Sequence, residues 1–215
     1  MDEMTMTMSW GVLLGLGAFH GINPGMGWLF AVALGMQERR RGAVLSALLP
    51  LGLGHALAVV AAIIVALVVG VVLPLQWLRW LVAGTLVALG LARLFRHRHP
   101  RWASMRVGPG ALTLWSFLMA SAHGAGLMVV PVFLSMTAAN AGHSHHGMQM
   151  AMATPASALL ATGLHAVGYL LVTAAVAFLV FEKLGVGIVR KTWFNLDLLW
   201  AVSLIGTGLI SVLLT

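Results

Sequence analysis

Cysteine is absent from the 215 residues of this chain, and acidic residues number only 5. Without thiols the chain has no disulfide, thiolate metal site or dithiol redox pair, so soft metal ions would have to bind histidine or methionine. No acid is predicted deep in an apolar segment, which leaves little for carboxylate-based catalysis to use. No nucleophile–base pair or phosphate loop is recognisable either, so no enzyme activity is predicted.

Charge is also scarce. Charged residues make up 8% of the chain and hydrophobic residues 60%, with a mean hydropathy of +0.99. Apolar stretches of about twenty residues separated by short polar segments indicate an integral membrane protein whose partner is the lipid bilayer. The net charge of +7 comes from residues in short loops, so it reports topology and predicts no nucleic-acid partner. The amino terminus has no basic residue before Ser9 and is not expected to be a signal peptide.

The hydropathy pattern predicts an all-α fold with six transmembrane helices in one domain, residues 1–215. The predicted helices are residues 9–36, 43–70, 74–95, 110–137, 156–181 and 193–214. Nearly all basic residues fall between helices one and two, three and four, or five and six. The positive-inside rule makes that side cytoplasmic. Both termini and the loop 138–155 are then expected outside a multi-pass protein of the cell inner membrane.

The two halves of the chain can be aligned on short pairs of residues. Repeat 1 spans about 9–95 and repeat 2 about 110–214, and the alignment matches His20-Gly21 with His123-Gly124, His55-Ala56 with His165-Ala166, and Gly90-Leu91 with Gly208-Leu209. Because each half has three helices, the repeats would be inverted, as in many secondary transporters. The alternative is a coincidence among apolar helices.

Four histidines lie at similar depth in the predicted helices: His20, His55, His123 and His165. Each is about 9 to 13 residues into its helix, which at 1.5 Å per residue is near the middle of a bilayer. Imidazole nitrogens suit zinc, copper, nickel and cobalt, so the four predict one transition-metal site. The alternatives are interhelical hydrogen bonds or a proton relay.

A helix-breaking sequence follows His20. Pro24 has no N–H to donate to the His20 carbonyl, which is expected to be freed, and Gly25 adds flexibility, so this element is predicted to act in gating. Asn23 and Thr162 share a helix face with His20 and His165, respectively, and are predicted to orient the rings. The alternative is a simple proline kink beside a histidine bonded to another helix.

A second cluster of metal-binding residue types lies in the predicted outer loop. Three histidines are followed by methionines at alternate positions: His143, His145, His146, Met148, Met150 and Met152. Thioethers favour a soft ion, above all Cu(I), whereas imidazoles alone suit nickel, cobalt or zinc. The tract is predicted to collect metal outside the membrane. The alternative is a low-complexity loop without function.

The six-helix plan, the 3+3 repeat and the His/Pro-Gly element of the first helix resemble the nickel/cobalt transporter branch of the lysine-exporter superfamily. Those permeases carry a histidine followed by an Asp-His pair, whereas His20 is followed here by Asn23-Pro24-Gly25. The resemblance implies a transport fold.

These observations predict a membrane transporter of a transition-metal cation (copper, nickel, cobalt or zinc) with a central histidine site. Three alternatives remain. Paired histidines are also axial ligands of haem in electron-transfer or assembly proteins. The chain could instead export an amino acid or another small organic solute, with the histidines coupling protons, or supply metal to a partner enzyme.

Overall fold

A computed structural model describes residues 3–95, 108–140, 154–184, 201–210 and 213 of the chain. This part is all-helical, with eight α-helices: α1 (Glu3–Ile22), α2 (Trp28–Glu38), α3 (Arg41–Val72), α4 (Leu75–Phe95), α5 (Pro109–Ala122), α6 (Ala125–Asn140), α7 (Pro155–Leu179) and α8 (Ala201–Ile210). A 3-10 turn, Pro24–Met26, joins α1 to α2, and a π turn, Val180–Leu184, extends α7.

Two stretches are long and apolar enough to cross a membrane, Arg41–Val71 and Pro155–Lys183. The α5–α6 pair, bent by 63°, adds a third if it forms one span. Three further apolar helical stretches among the described residues are shorter: Met8–Ile22, Gln76–Ala92 and Ala201–Ile210. Among the described residues the structure therefore has two or three candidate spans, and six crossings stay a prediction.

The structure divides two of the predicted helices. The stretch predicted as one helix over residues 9–36 is α1 and α2, separated at residues 23–27, and that predicted over 110–137 is α5 and α6, separated at residues 123–124. We call these the first break and the second break. The division at residues 23–27 agrees with the helix-breaking Pro24-Gly25 of the sequence. The division at residues 123–124 was not predicted, because hydropathy measures apolar length and does not register a change of helix direction.

Glycines bring pairs of helices into backbone contact. A Cβ on Gly17 of α1 would collide with the His165 carbonyl of α7, and one on Gly168 of α7 would collide with the Leu14 carbonyl of α1. Gly54 of α3 meets the Thr113 carbonyl of α5 in the same way. Such small residues let membrane helices pack closely. The α1–α7 and α3–α5 contacts therefore enclose the interior in which the histidines lie.

The surface of the described helices exposes many large apolar side chains, while several polar side chains are buried among the apolar core. Leu49 is 78% exposed and Leu171 is 64% exposed, whereas His20 and His55 are fully buried. Helices in lipid place apolar side chains outward and polar ones toward the interior. The exposed leucines thus support a membrane location, and the buried histidines mark the candidate site.

Candidate functional site

The first break is a tightly hydrogen-bonded turn. Asn23 is its N-cap, and the Asn23 Oδ1 accepts a hydrogen bond from the Gly25 N–H at 2.8 Å. Pro24 occupies the first position of the turn, where a missing N–H does no harm. The His20 carbonyl is not left free as expected, because the chain tightens and the Asn23 N–H donates to it at 3.3 Å.

Aromatic side chains from three helices satisfy the other carbonyls of this region. The Trp28 Nε1–H donates to the Ile22 carbonyl at 2.9 Å, and the Trp115 Nε1–H donates to the Gly25 carbonyl at 3.3 Å. The Tyr169 hydroxyl donates to the Met26 carbonyl at 2.7 Å. Backbone groups released by a broken helix in lipid must find such partners. The first break is therefore held by α2, α5 and α7.

Gly27 is the last residue of the first break and the N-cap of α2. Its backbone φ of 130° is rarely adopted by residues that have a side chain, and a Cβ there would collide with Leu51 of α3. The packing of the turn against α3 therefore depends on glycine at this position.

The second break occurs at His123-Gly124, without a proline in the break itself. His123 ends α5 and its N–H donates to the Met119 carbonyl, while Gly124 has a φ of 72°. The second break lies at His123-Gly124 itself, whereas the first begins three residues after His20. The two breaks are therefore near equivalent positions of the repeat alignment but do not coincide in it. The break after the second histidine had no proline signal in the sequence.

Three of the four predicted histidines form one cluster. The ring centroid of His20 lies 5.5 Å from that of His55 and 5.1 Å from that of His165, and the last two are 5.2 Å apart. We call these three the histidine cluster. His123 is 2% exposed and lies beside the first break, its Cε1 4.0 Å from the position of a Cβ on Gly25. The sequence thus identified four interior histidines drawn from α1, α3, α5 and α7.

Hydrogen bonds to carbonyls fix which ring nitrogen carries the proton. The Nδ1–H of His20 donates to the Leu16 carbonyl at 2.6 Å, and that of His123 donates to the Met119 carbonyl at 2.8 Å. The His165 Nδ1–H donates to the Leu13 carbonyl at 3.2 Å. Because a carbonyl only accepts, these three rings in their neutral form carry the lone pair on Nε2.

His55 has the opposite tautomer. Its Nε2 lies 3.1 Å from the His165 Nε2, and since that atom carries a lone pair, the His55 Nε2–H is the donor. The His55 Nδ1 then carries the lone pair, and it is buried with no hydrogen-bond partner among the described residues. An unsatisfied buried acceptor costs about 1–3 kcal/mol. The His55 Nδ1 is therefore a buried acceptor without a hydrogen bond in the described part of the chain.

The expected orienting residues act differently from the prediction. The Asn23 side chain caps the turn, and Pro24 and Gly25 form it, so all three shape the first break. Thr162 is 4% exposed, and its hydroxyl has no hydrogen-bond partner in the part of the chain described. The group that orients His165 is instead the Leu13 carbonyl of α1.

In this conformation the donor atoms do not converge on one point. Within the described ranges no group of three or more histidine, aspartate or glutamate side chains has the geometry to hold a metal ion. Two nitrogens bound to one zinc ion at 2.0–2.1 Å in a tetrahedron are about 3.3 Å apart. The 3.1 Å pair of His55 and His165 is therefore close to that spacing, and a third nitrogen would require a ring to turn.

The predicted outer tract lies outside the described residues. This applies to His143, His145, His146, Met148, Met150 and Met152, whose role in collecting metal stays a prediction.

Sequence reasoning missed the aromatic residues that hold the first break. Tyr169 is the single tyrosine of the chain and follows His165 by one helical turn. It is fully buried, and its ring stacks on His55 with centroids 4.0 Å apart and planes inclined by 5°. Its spacing from His165 was the available signal. Trp28 and Trp115 gave no comparable signal in a chain that contains 8 tryptophans.

The fold and the interior together define a class: an all-helical protein with two or three helices suited to crossing a membrane and a buried histidine cluster. Comparisons of the chain with protein-family models, with curated proteins and with solved structures find no match.

Proposed function

We propose that this chain is a membrane transporter of a transition-metal cation (copper, nickel, cobalt or zinc), with the ion bound during passage by His20, His55, His123 and His165. The observation that carries the proposal is the tautomer pattern. Three of these rings donate Nδ1–H to a backbone carbonyl and so keep Nε2 as the ligand atom. Metal-binding histidines characteristically hold the second nitrogen in this way.

His55 supplies the step from the present arrangement to a bound ion. Its Nε2–H now donates to His165, so metal binding between them requires that proton to leave Nε2. The Nδ1 of the same ring has a lone pair and no partner among the described residues, so it can take up a proton. A change of tautomer at His55 would leave a lone pair on both Nε2 atoms, which are 3.1 Å apart, so that both rings could bind the ion.

Paired contacts support the inverted repeat that the proposal includes. His20 and His123 each follow their Nδ1–H acceptor by four residues, and His123 lies at the second break while His20 lies three residues before the first. The sites for a Cβ on Gly90 and on Gly208 each lie 2.9 Å from a carbonyl of the opposite helix, Ala201 and Ala83 respectively. Reciprocal contacts of this kind are expected for two related halves facing each other. Six spans, two inverted repeats and outer termini in the inner membrane complete the proposed architecture.

Metal content and uptake test the proposal. Purified wild-type protein in lipid nanodiscs is expected to bind Zn²⁺, Ni²⁺, Co²⁺ or Cu(I), and proteoliposomes to carry that ion to an internal fluorescent indicator. A His55→Gln/His165→Gln variant is expected to lose most of both, since outer-shell changes alone reduce affinity by about 10–100-fold and these are direct ligands.

A matched control removes the same number of imidazoles elsewhere. His97 and His99 stand among arginines in the predicted cytoplasmic loop, and the His97→Ala/His99→Ala variant is expected to bind and carry metal as the wild type does. Absence of metal from the wild type, or equal binding by the His55→Gln/His165→Gln variant, would contradict the proposal.

A second candidate is a proton-coupled exporter of a small organic solute. It is favoured by the hydrogen bond between His55 and His165, which already shares one proton between two rings. Solute transport that is indifferent to chelators would support it. Haem fits the same pair poorly, because two axial nitrogens lie about 4 Å apart across the iron, whereas these lie at 3.1 Å.

A further inference from the structure

Tyr169 connects the histidine cluster to the first break. Its ring lies flat on the His55 ring, and its hydroxyl donates to the Met26 carbonyl within the 3-10 turn. The side chain is fully buried, so both contacts are sheltered from water. One side chain of α7 thus bridges a histidine of α3 and the turn between α1 and α2.

We propose that Tyr169 is a positioning residue with two separable contacts: its ring sets the plane of His55, and its hydroxyl keeps the first break closed. The metal-site role rests on the proposed function, whereas both contacts exist without any ion.

The ring contact fixes where the His55 nitrogens point. Rotation of an imidazole about its bond to the Cβ carries Nε2 out of line with a fixed partner. The Tyr169 ring covers one face of the His55 ring, inclined by 5°, and the nearly parallel His165 ring, inclined by 10°, is hydrogen-bonded at its edge. Because the His55 Nδ1 has no hydrogen bond to anchor it among the described residues, stacking takes the place that a carbonyl takes for His20 and His165.

The hydroxyl contact holds the turn at its end nearest α2. The Met26 carbonyl belongs to the last residue of the 3-10 turn, and the next residue, Gly27, is the N-cap of α2. Without the phenol this buried carbonyl would need water or another donor, which the turn obtains by opening. Tyr169 therefore contacts the cluster with its ring and the break with its hydroxyl.

Substitutions at one position separate the two contacts. Tyr169→Phe keeps the ring and removes the hydroxyl, whereas Tyr169→Leu removes both. The chain has no cysteine, so Met26→Cys introduces a single reporter thiol at the break, where the native side chain is 1% exposed. The control is Thr85→Val, which removes a hydroxyl that donates to the Leu81 carbonyl within α4.

The first measurement is the rate at which a membrane-permeant maleimide labels the Met26→Cys thiol in nanodiscs without added metal. We expect Tyr169→Phe to raise this rate about fivefold, the factor that corresponds to one net hydrogen bond, and Thr85→Val to leave it unchanged. No increase in Tyr169→Phe, or an equal increase in Thr85→Val, overturns the role of the hydroxyl.

The second measurement is solid-state nitrogen NMR of isotope-labelled histidine, with the His55 signals identified by their loss in His55→Gln. We expect the Nε2–H···Nε2 hydrogen bond to persist in Tyr169→Phe and to disappear in Tyr169→Leu. Its persistence in Tyr169→Leu overturns the role of the ring, and Tyr169→Met replaces that variant if it does not fold. Because neither measurement needs metal, failure of wild-type protein to bind metal would remove the proposed function and leave these results standing.

Discussion

At the scale of single residues, the fixed tautomers distinguish the interior histidines from ordinary buried ones. His20 and His123 use the carbonyl four residues earlier in their own helix, so the ring direction is set by local geometry. His165 uses a carbonyl of another helix, and its orientation therefore depends on the α1–α7 contact. A movement of α1 along α7 would consequently displace the hydrogen-bond acceptor of His165, whereas His20 would keep its acceptor within α1.

Gly27→Ala is expected to destabilise the protein. The φ of 130° is strained for alanine, at about 1–3 kcal/mol, and the new Cβ meets Leu51. Thermal unfolding followed by circular dichroism in detergent should show a Tm lower by several degrees. The control is Gly84→Ala in α4, where no atom lies within 4 Å of the new Cβ. An equal Tm for the two variants would contradict the importance of the turn.

The sequence predicted which residues are buried better than what they contact. Charge and polarity alone indicate that His20, His55, His123 and His165 must face the interior of an apolar chain, and all four do. The groups that their rings contact could not be predicted, because these are backbone carbonyls and, for His55, the face of an aromatic ring. Neither leaves a recognisable pattern in residue type, although the spacing of Tyr169, four residues after His165, was an available signal.

At the scale of helices, backbone contact at glycine decides how closely α7 approaches α1. Gly168 and Gly163 test this within one helix. A Cβ on Gly168 would collide with the Leu14 carbonyl, whereas one on Gly163 has no atom within 4 Å. The two positions thus differ in packing while sharing the same element.

Gly168→Ala is expected to lower the Tm and loosen the histidine cluster, because α1 must move away from α7. Gly163→Ala is expected to be neutral or to stabilise by up to about 1 kcal/mol through helix propensity. The measurements are thermal unfolding and the histidine NMR spectrum. Equal changes in both variants would show that the α1–α7 contact does not depend on the absence of a side chain.

The breaks show what sequence patterns predict about elements. Pro24-Gly25 indicated an interruption in the first segment, and the structure has one there. At Gly124 the glycine φ of 72° makes the turn without a proline. A single glycine among the 25 of this chain has no distinguishing pattern, so the second break was not predicted.

At the scale of the whole molecule, helical class and membrane location were predicted from composition. The structure confirms the helical class, and its two or three helices long and apolar enough to cross a membrane support the location. The number of crossings did not follow as directly. Broken and short helices satisfy a hydropathy window without spanning the bilayer as one rod. The proposed relation between the halves is supported by reciprocal contacts such as those of Gly90 and Gly208, which appear only when the helices are assembled.

The length of α3 has a consequence for the lipid around the protein. Its 32 residues make a rod of about 48 Å, against about 30 Å of hydrocarbon in a typical bilayer. Such an excess is accommodated by tilt or by local thickening of the bilayer. Polarised infrared spectra should therefore show a smaller mean helix tilt in longer-chain lipids, and a tilt that is independent of chain length would contradict this. Since α3 carries His55, we expect a change in the tilt of α3 with bilayer thickness to shift His55 relative to the other residues of the histidine cluster.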